Sequence, residues 1–235
     1  YCPRRHRLDA LLQGAAAAAG AQLFDRTRVL DTVVRGGRVA GVRIRDGAGE
    51  REVAARLVVG AAEYLGYDAP RACYWTYWPA PRSWKDKARD PFDMYFGRDG
   101  RDFRFIFPVE RDGLLLGTAP LLETAKAWKR DLKAAYRADL AHDPFIRPLV
   151  EDNEPVEEIR GTLSERYFFR EAAGPGWVLI GDAGHHKDFI IGDGMTEALL
   201  QARSLAAAIL HGGDLSDWWR QRDIDALPMF RFAED

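Results

Sequence analysis

Residues 177–195 constrain this chain more than any other stretch. WVLIGDAGHHKDFIIGDGM is a short apolar run that stops at Gly181-Asp182, passes through a polar, glycine-punctuated stretch, and meets the helix-forming run TEALLQARSLAAAIL. Strand, turn, loop and helix in that order put Gly181-Asp182 at the carboxyl end of a buried strand, where open α/β sheets place their ligands. There Asp182 can accept hydrogen bonds from ligand hydroxyls, and Gly181 lets a ligand approach the backbone with no Cβ in the way. Gly192 and Gly194 open the helix, whose first N–H groups have no partner within it. The resulting partial positive charge stabilises an electron-rich ring or an anion.

The rest of the chain supplies the layers around that motif. Residues 8–19, LDALLQGAAAAA, predict a helix with Asp9 in its acidic start and Gly20 at its stop. Short β-like runs at 22–24, 29–35, 39–45 and 51–59 read as a strand followed by a meander. Residues 56–60, RLVVG, have the continuous apolar pattern of a strand buried on both faces. From 64 to 91 the text is rich in aromatics and proline, and from 91 to 118 it alternates apolar and polar, which predicts a second, antiparallel sheet. Strand alternation puts Cys73, Trp75 and Tyr77 on one face and Tyr74, Thr76 and Trp78 on the other, and Phe103, Phe105 and Phe107 alternate likewise. Helical spacing runs over 123–140 until Pro144 and Pro148 break it, and again over 196–210. A terminal helix is expected over 217–227, capped by Ser216 or Asp214. The order predicts an α/β fold with an inserted sheet layer.

Composition removes several function classes. In 235 residues, 34 Lys+Arg stand against 36 Asp+Glu, a net charge of −2, which lacks the electrostatic engine of a nucleic-acid binder. Cys2 and Cys73 are too few for a disulfide framework and suit a reducing, cytoplasmic setting. No apolar run approaches the ~20 residues of a membrane span. His185, His186 and Asp188 lack the one-face spacing of a metal motif and have no third ligand in view, so no metal is expected. No Ser/His/Asp or Cys/His set has supporting spacing, which leaves the chemistry to a cofactor.

The run GDAGHHKDFIIGDG resembles the second flavin motif of the para-hydroxybenzoate-hydroxylase-like FAD-dependent monooxygenases and of their reductase and halogenase relatives. Their pattern is G-D-A-x-H, three residues, Pro, two residues, Gly-x-Gly. Gly181, Asp182, Ala183, His185, Gly192 and Gly194 fall on it in register, and Phe189 stands where the family usually has proline. The resemblance implies that Asp182 binds a ribityl hydroxyl and that the helix after Gly194, with Met195, faces the pyrimidine edge of the flavin. Residues 5–9, RHRLD, are similar to the family's R-x-x-L-D segment, which makes Arg5 a flavin contact by match. Residues 56–61, RLVVGA, look like the strand leading to its A-D-G motif.

By the same resemblance the fold is a flavin-binding, Rossmann-like parallel sheet with a β-meander and an inserted, mainly antiparallel substrate sheet. Residues 1–62 and 151–235 would form the FAD-binding part and 63–150 the substrate part. FAD is the implied cofactor, with NAD(P)H as transient reductant. The implied reaction uses O₂ to oxygenate an apolar or aromatic small molecule, for which Trp75, Tyr77, Phe107 and Phe189 are the candidate contacts. A flavin-dependent reductase or halogenase, or a relative that has lost FAD, are the alternatives. A halogenase would want a lysine near the pocket. The sequence also departs from the family: no G-x-G-x-x-G follows any strand, and Ala62-Glu63 replaces the expected Asp-Gly. Both losses fall at phosphate-binding loops, so the sequence is expected to be an incomplete record of a longer flavoprotein.

Overall fold

A computed structural model describes residues 4–59, 65–81, 93–97, 101–109, 113–163 and 165–234. The chain opens with α1 (Arg5–Ala18), then β1 (Arg28–Arg35), β2 (Arg38–Asp46), β3 (Gly49–Ala54), β4 (Val58–Val59) and β5 (Leu65–Asp68). Next come β6 (Cys73–Pro79), β7 (Asp93–Phe96), β8 (Phe103–Val109) and β9 (Gly113–Ala119), then helices α2 (Leu122–Ala127), α3 (Leu132–Ala141) and α4 (Arg147–Glu151). The short strands β10 (Arg160–Thr162), β11 (Arg166–Phe169), β12 (Ala173–Gly174), β13 (Trp177–Val178) and β14 (His185–His186) lead to α5 (Gly194–Leu210) and α6 (Leu215–Glu234). Two compact units result, one of residues 1–23 and 69–165, the other of 24–68 and 166–235.

The first unit is built on an antiparallel sheet of order β10-β6-β9-β8-β7. One face carries Tyr74, Trp78, Ile106, Leu114 and Leu116, which bury against Trp128, Tyr136, Leu140, Ile146 and Val150. The Tyr136 hydroxyl donates to the Leu116 carbonyl at 2.8 Å, which satisfies a polar atom inside this core. On the other face, register aligns Trp75 with Gly117 and Phe105, and Tyr77 with Leu115 and Phe107. The expected alternation therefore holds: Tyr74 and Trp78 are core, while Trp75, Tyr77 and Phe107 are half-buried. Phe105 lies flat across β9 because residue 117 is glycine; a Cβ there would come within 2.0 Å of the Phe105 ring.

Three expectations for this half need correction. The first helix begins at Arg5 rather than Leu8. No strand forms over 22–24, where Leu23 and Phe24 are exposed and have no ladder partner. The helix expected over 123–140 is two helices separated by the 3₁₀ turn Trp128–Arg130. The cause is Asp131, which adopts φ −152°, ψ 85° and accepts the Ala134 N–H at 3.0 Å, so that it starts α3 as an N-cap.

The second unit holds the meander β1-β2-β3, with antiparallel pairing throughout, and two three-stranded sheets of order β14-β11-β5 and β12-β13-β4. The β13/β4 pair is the single parallel pairing among the described residues, so the architecture is mixed α/β and mainly antiparallel there. Val59 on β4 is 54% exposed, against the expectation of a strand buried on both faces, because β4 has a described partner on one side only. Asp214, rather than Ser216, caps α6: its carboxylate accepts the Ser216 N–H at 2.7 Å. That helix runs past the expected stop before Pro228, since Phe230 beyond it is anchored on Phe169 and Tyr67 with ring centroids 4.7 and 5.4 Å apart. Among the described residues no helix is long and apolar enough to cross a membrane.

Candidate functional site

Strand β13 ends in a turn held from several sides. Val178 and Leu179 are fully buried, and Ile180 is extended (φ −134°, ψ 161°) before the backbone swings to φ +56° at Gly181. Only glycine adopts that left-handed conformation without strain. A Cβ at Gly181 would also sit 3.3 Å from the Ala198 Cβ, so helix α5 packs close against the turn. The Gly181 N–H donates to Gln201 Oε1 at 2.8 Å, and the Gly184 N–H closes the Gly181–Ala183 turn onto the Gly181 carbonyl at 2.9 Å. Arg222 from α6 donates to the Leu179 and Gly184 carbonyls at 3.3 and 3.5 Å. Arg170 is half-buried, lies over the Phe168 ring at 3.9 Å and donates to the Ala183 carbonyl at 3.3 Å.

Side chains from three places in the chain thus brace this turn, and the Asp182 carboxylate stands apart from them. Asp182 is exposed, and its carboxylate has no hydrogen-bond partner among the described residues. Its Oδ1 lies 3.9 Å from where a Cβ on Gly194 would be, so it looks onto the first residue of α5. Gly192 (φ +70°), Gly194 and Met195 are exposed along the approach to that helix, and Phe189 is half-buried just before them. A Cβ at Gly192 would meet nothing within 4 Å, so the approach is open.

Behind the approach lies a buried ionic group. The Lys187 ammonium, with its side chain 4% exposed, donates to Asp193 Oδ2 at 2.9 Å and Glu197 Oε1 at 2.5 Å. His185 Nε2 donates to Glu197 Oε2 at 2.7 Å, and the His185 ring stacks on Phe169 at 5.3 Å. The ionised carboxylate can only accept, which assigns the shared hydrogen to Nε2. Burial pushes the Glu197 carboxyl up, but the hydrogen bonds from His185 and Lys187 outweigh it and bring the pKa down to about 2. Among the described residues no group of three or more His, Cys, Asp or Glu side chains is placed to hold a metal ion.

The structure therefore gathers Gly181, Asp182, Ala183, Gly192, Gly194, Met195 and Phe189 around one turn and one helix start. Trp75, Tyr77 and Phe107 share one face of the sheet in the other unit, and Arg5 opens α1 there, its side chain outside the described residues. Sequence reasoning missed Gln201, Arg170, Arg222, Lys187 and Glu197. Gln201 had a detectable signal, since it lies on the same face of α5 as Gly194, Ala198 and Leu205 and is a polar residue in an inward stripe. The arginines act across the fold and leave no local pattern.

No family model matches the sequence. Solved structures do match the fold. A flavin-dependent brominase superposes with a TM-score of 0.76 at 17% identity, over 93% of this chain and 59% of that one. The myxobacterial chondrochloren halogenase CndH, described as an FAD-dependent halogenase, gives 0.75 at 20% identity over 99% and 59%. PqsL from Pseudomonas aeruginosa, described as a probable FAD-dependent monooxygenase, gives 0.71 at 17% over 96% and 65%. The chain has the fold of these flavin-dependent halogenases and monooxygenases, and it spans about three fifths of the length of the first two.

Proposed function

We propose that the protein is an FAD-dependent oxidoreductase of the monooxygenase type, related to the para-hydroxybenzoate-hydroxylase-like enzymes. The observation that carries this reading is Asp182, a carboxylate with no hydrogen-bond partner among the described residues, on a turn braced from several sides and set beside the open start of α5. These residues fit the ribityl and ring portion of FAD: a carboxylate free to accept from hydroxyls, next to N–H groups that favour electron-rich atoms. The fold likeness to flavin-dependent halogenases and monooxygenases supports the same assignment.

When bound, FAD would supply the redox chemistry, with NAD(P)H as the reductant and O₂ as the oxidant. The protein's own part is to bind and orient. Asp182 would accept hydrogen bonds from the ribityl chain, and the braces on its turn hold the neighbouring backbone in place. The first turn of α5 would offer its N–H groups, and with them a positive potential, to an electron-rich edge of the ring. Arg5 is assigned to the ribityl or phosphate side. By the resemblance, the half-buried aromatic face of Trp75, Tyr77 and Phe107 would take an apolar or aromatic substrate, and Phe189 would stand close to the flavin motif in place of the usual proline.

The test is a titration of the purified protein with FAD, followed in the visible spectrum and repeated on Asp182→Ala. The wild type binds, and the variant binds more weakly by ~1–3 kcal/mol, the scale of a lost charged hydrogen bond. A wild type that neither carries nor takes up FAD refutes the reading in favour of a relative that has lost the cofactor. A halogenase is the second reading, favoured by the brominase and halogenase likenesses. Bromide or chloride incorporated into product during turnover separates it from an oxygenase.

A further inference from the structure

We propose that Lys187 is a positioning residue of this site: by holding the Asp193 carboxylate away from the first turn of α5, it keeps that turn's backbone N–H groups open to the ligand. The inference rests on the FAD reading above and adds a residue to it. An aspartate immediately before a helix normally turns its side chain inward and accepts from the N–H of the second or third helical residue. Asp193 stands at that position, and its carbonyl accepts the first helical bond, from the Glu197 N–H, at 2.9 Å. Its side chain nevertheless makes no capping bond, and its backbone (φ −105°, ψ −1°) is not in the extended region usual for a capping residue. The carboxylate is instead on the Lys187 ammonium, 2.9 Å away.

Burial enforces this arrangement. Lys187 is nearly sealed from solvent, and a buried ammonium without partners is costly, so it retains both carboxylates it touches. Glu197 is fixed from its other side by His185, which leaves Asp193 as the movable partner. Two acidic residues stand at the start of α5, and the buried Lys187 ammonium pairs with both, while the approach at Gly192 is open. Without Lys187, the Asp193 backbone would rotate to the extended conformation of a capping residue, and its carboxylate would occupy the N–H groups and set a negative charge where an electron-rich ring must dock.

The test compares FAD dissociation constants, from flavin fluorescence, for wild type, Lys187→Met, Lys187→Arg and the double variant Lys187→Met/Asp193→Ala, with a melting temperature for each. Lys187→Met is expected to weaken binding about tenfold, the scale of competing with an N-cap carboxylate for the same N–H groups. Lys187→Arg keeps the charge and most of the affinity. The double variant regains wild-type affinity although its melting temperature stays at or below that of the single variant, a recovery that a merely structural lysine would not give. Should Lys187→Met fail to fold, the double variant decides alone. Wild-type affinity in Lys187→Met, or a double variant about tenfold weaker than wild type, overturns the inference and leaves the FAD reading standing. A wild type that does not bind FAD overturns both.

Discussion

Replacing Glu197 with glutamine tests the ionic group behind the site through its dependence on acid. Glutamine keeps the size and one acceptor but cannot carry charge. The folded structure brings the Glu197 pKa from the usual 4.5 to about 2; burial opposes this, and the bonds from His185 and Lys187 exceed it. A carboxyl depressed in the folded chain gives stability that is complete above its unfolded pKa near 4.5 and drains away as pH falls toward 2. At ~1.4 kcal/mol per pKa unit the full fall is worth ~3 kcal/mol. The side chain is 23% exposed, and solvent screening lowers our figure to about 2 kcal/mol. The assay is urea unfolding of both proteins at steps between about pH 6 and about pH 2.5. Wild type should lose about 1.5 kcal/mol more than Glu197→Gln across that interval, because its lower end, about pH 2.5, still lies above the folded pKa of about 2, with the difference concentrated below about pH 4.5. Curves that stay parallel throughout would show that Glu197 is not ionised by these partners in the way described.

Gln201→Ala strips the acceptor from the buried Gly181 N–H and is expected to cost ~1–3 kcal/mol in chemical denaturation, with FAD affinity falling as the turn loosens. Gly117→Ala drives a methyl into the Phe105 ring and is expected to lower stability by ~1–3 kcal/mol, read as a drop in melting temperature. An unchanged melting temperature would mean that the ring can leave β9 freely.

What the sequence revealed was what local pattern controls. The strand, the Gly-Asp turn and the helix after Gly194 were readable because glycines punctuate them and the apolar period changes from strand to helix. The two faces of β6 followed from simple alternation. The break at Asp131 was hidden, because one aspartate can sit on the outside of a continuous helix or cap a new one, and tertiary packing of Trp128 and Tyr136 decides between the two. The braces of the Gly181–Ala183 turn were hidden for another reason: Arg222 reaches Leu179 across 43 residues of sequence, and no window reports such a contact. His185 was visible as a motif residue, while the ion pair that fixes it depended on Lys187 and Glu197 lying on opposite sides of a loop.

The bond from Arg222 to the carbonyls of Leu179 and Gly184 has a reach beyond local stability. It ties both ends of the bend that presents Asp182 to helix α6, which is distant in sequence. Loss of Arg222 would release that latch while leaving every residue of the bend itself in place. A helix far along the sequence would then set how firmly the bend is held, and loosening it would free the Asp182 carboxylate to wander before the fold itself gave way.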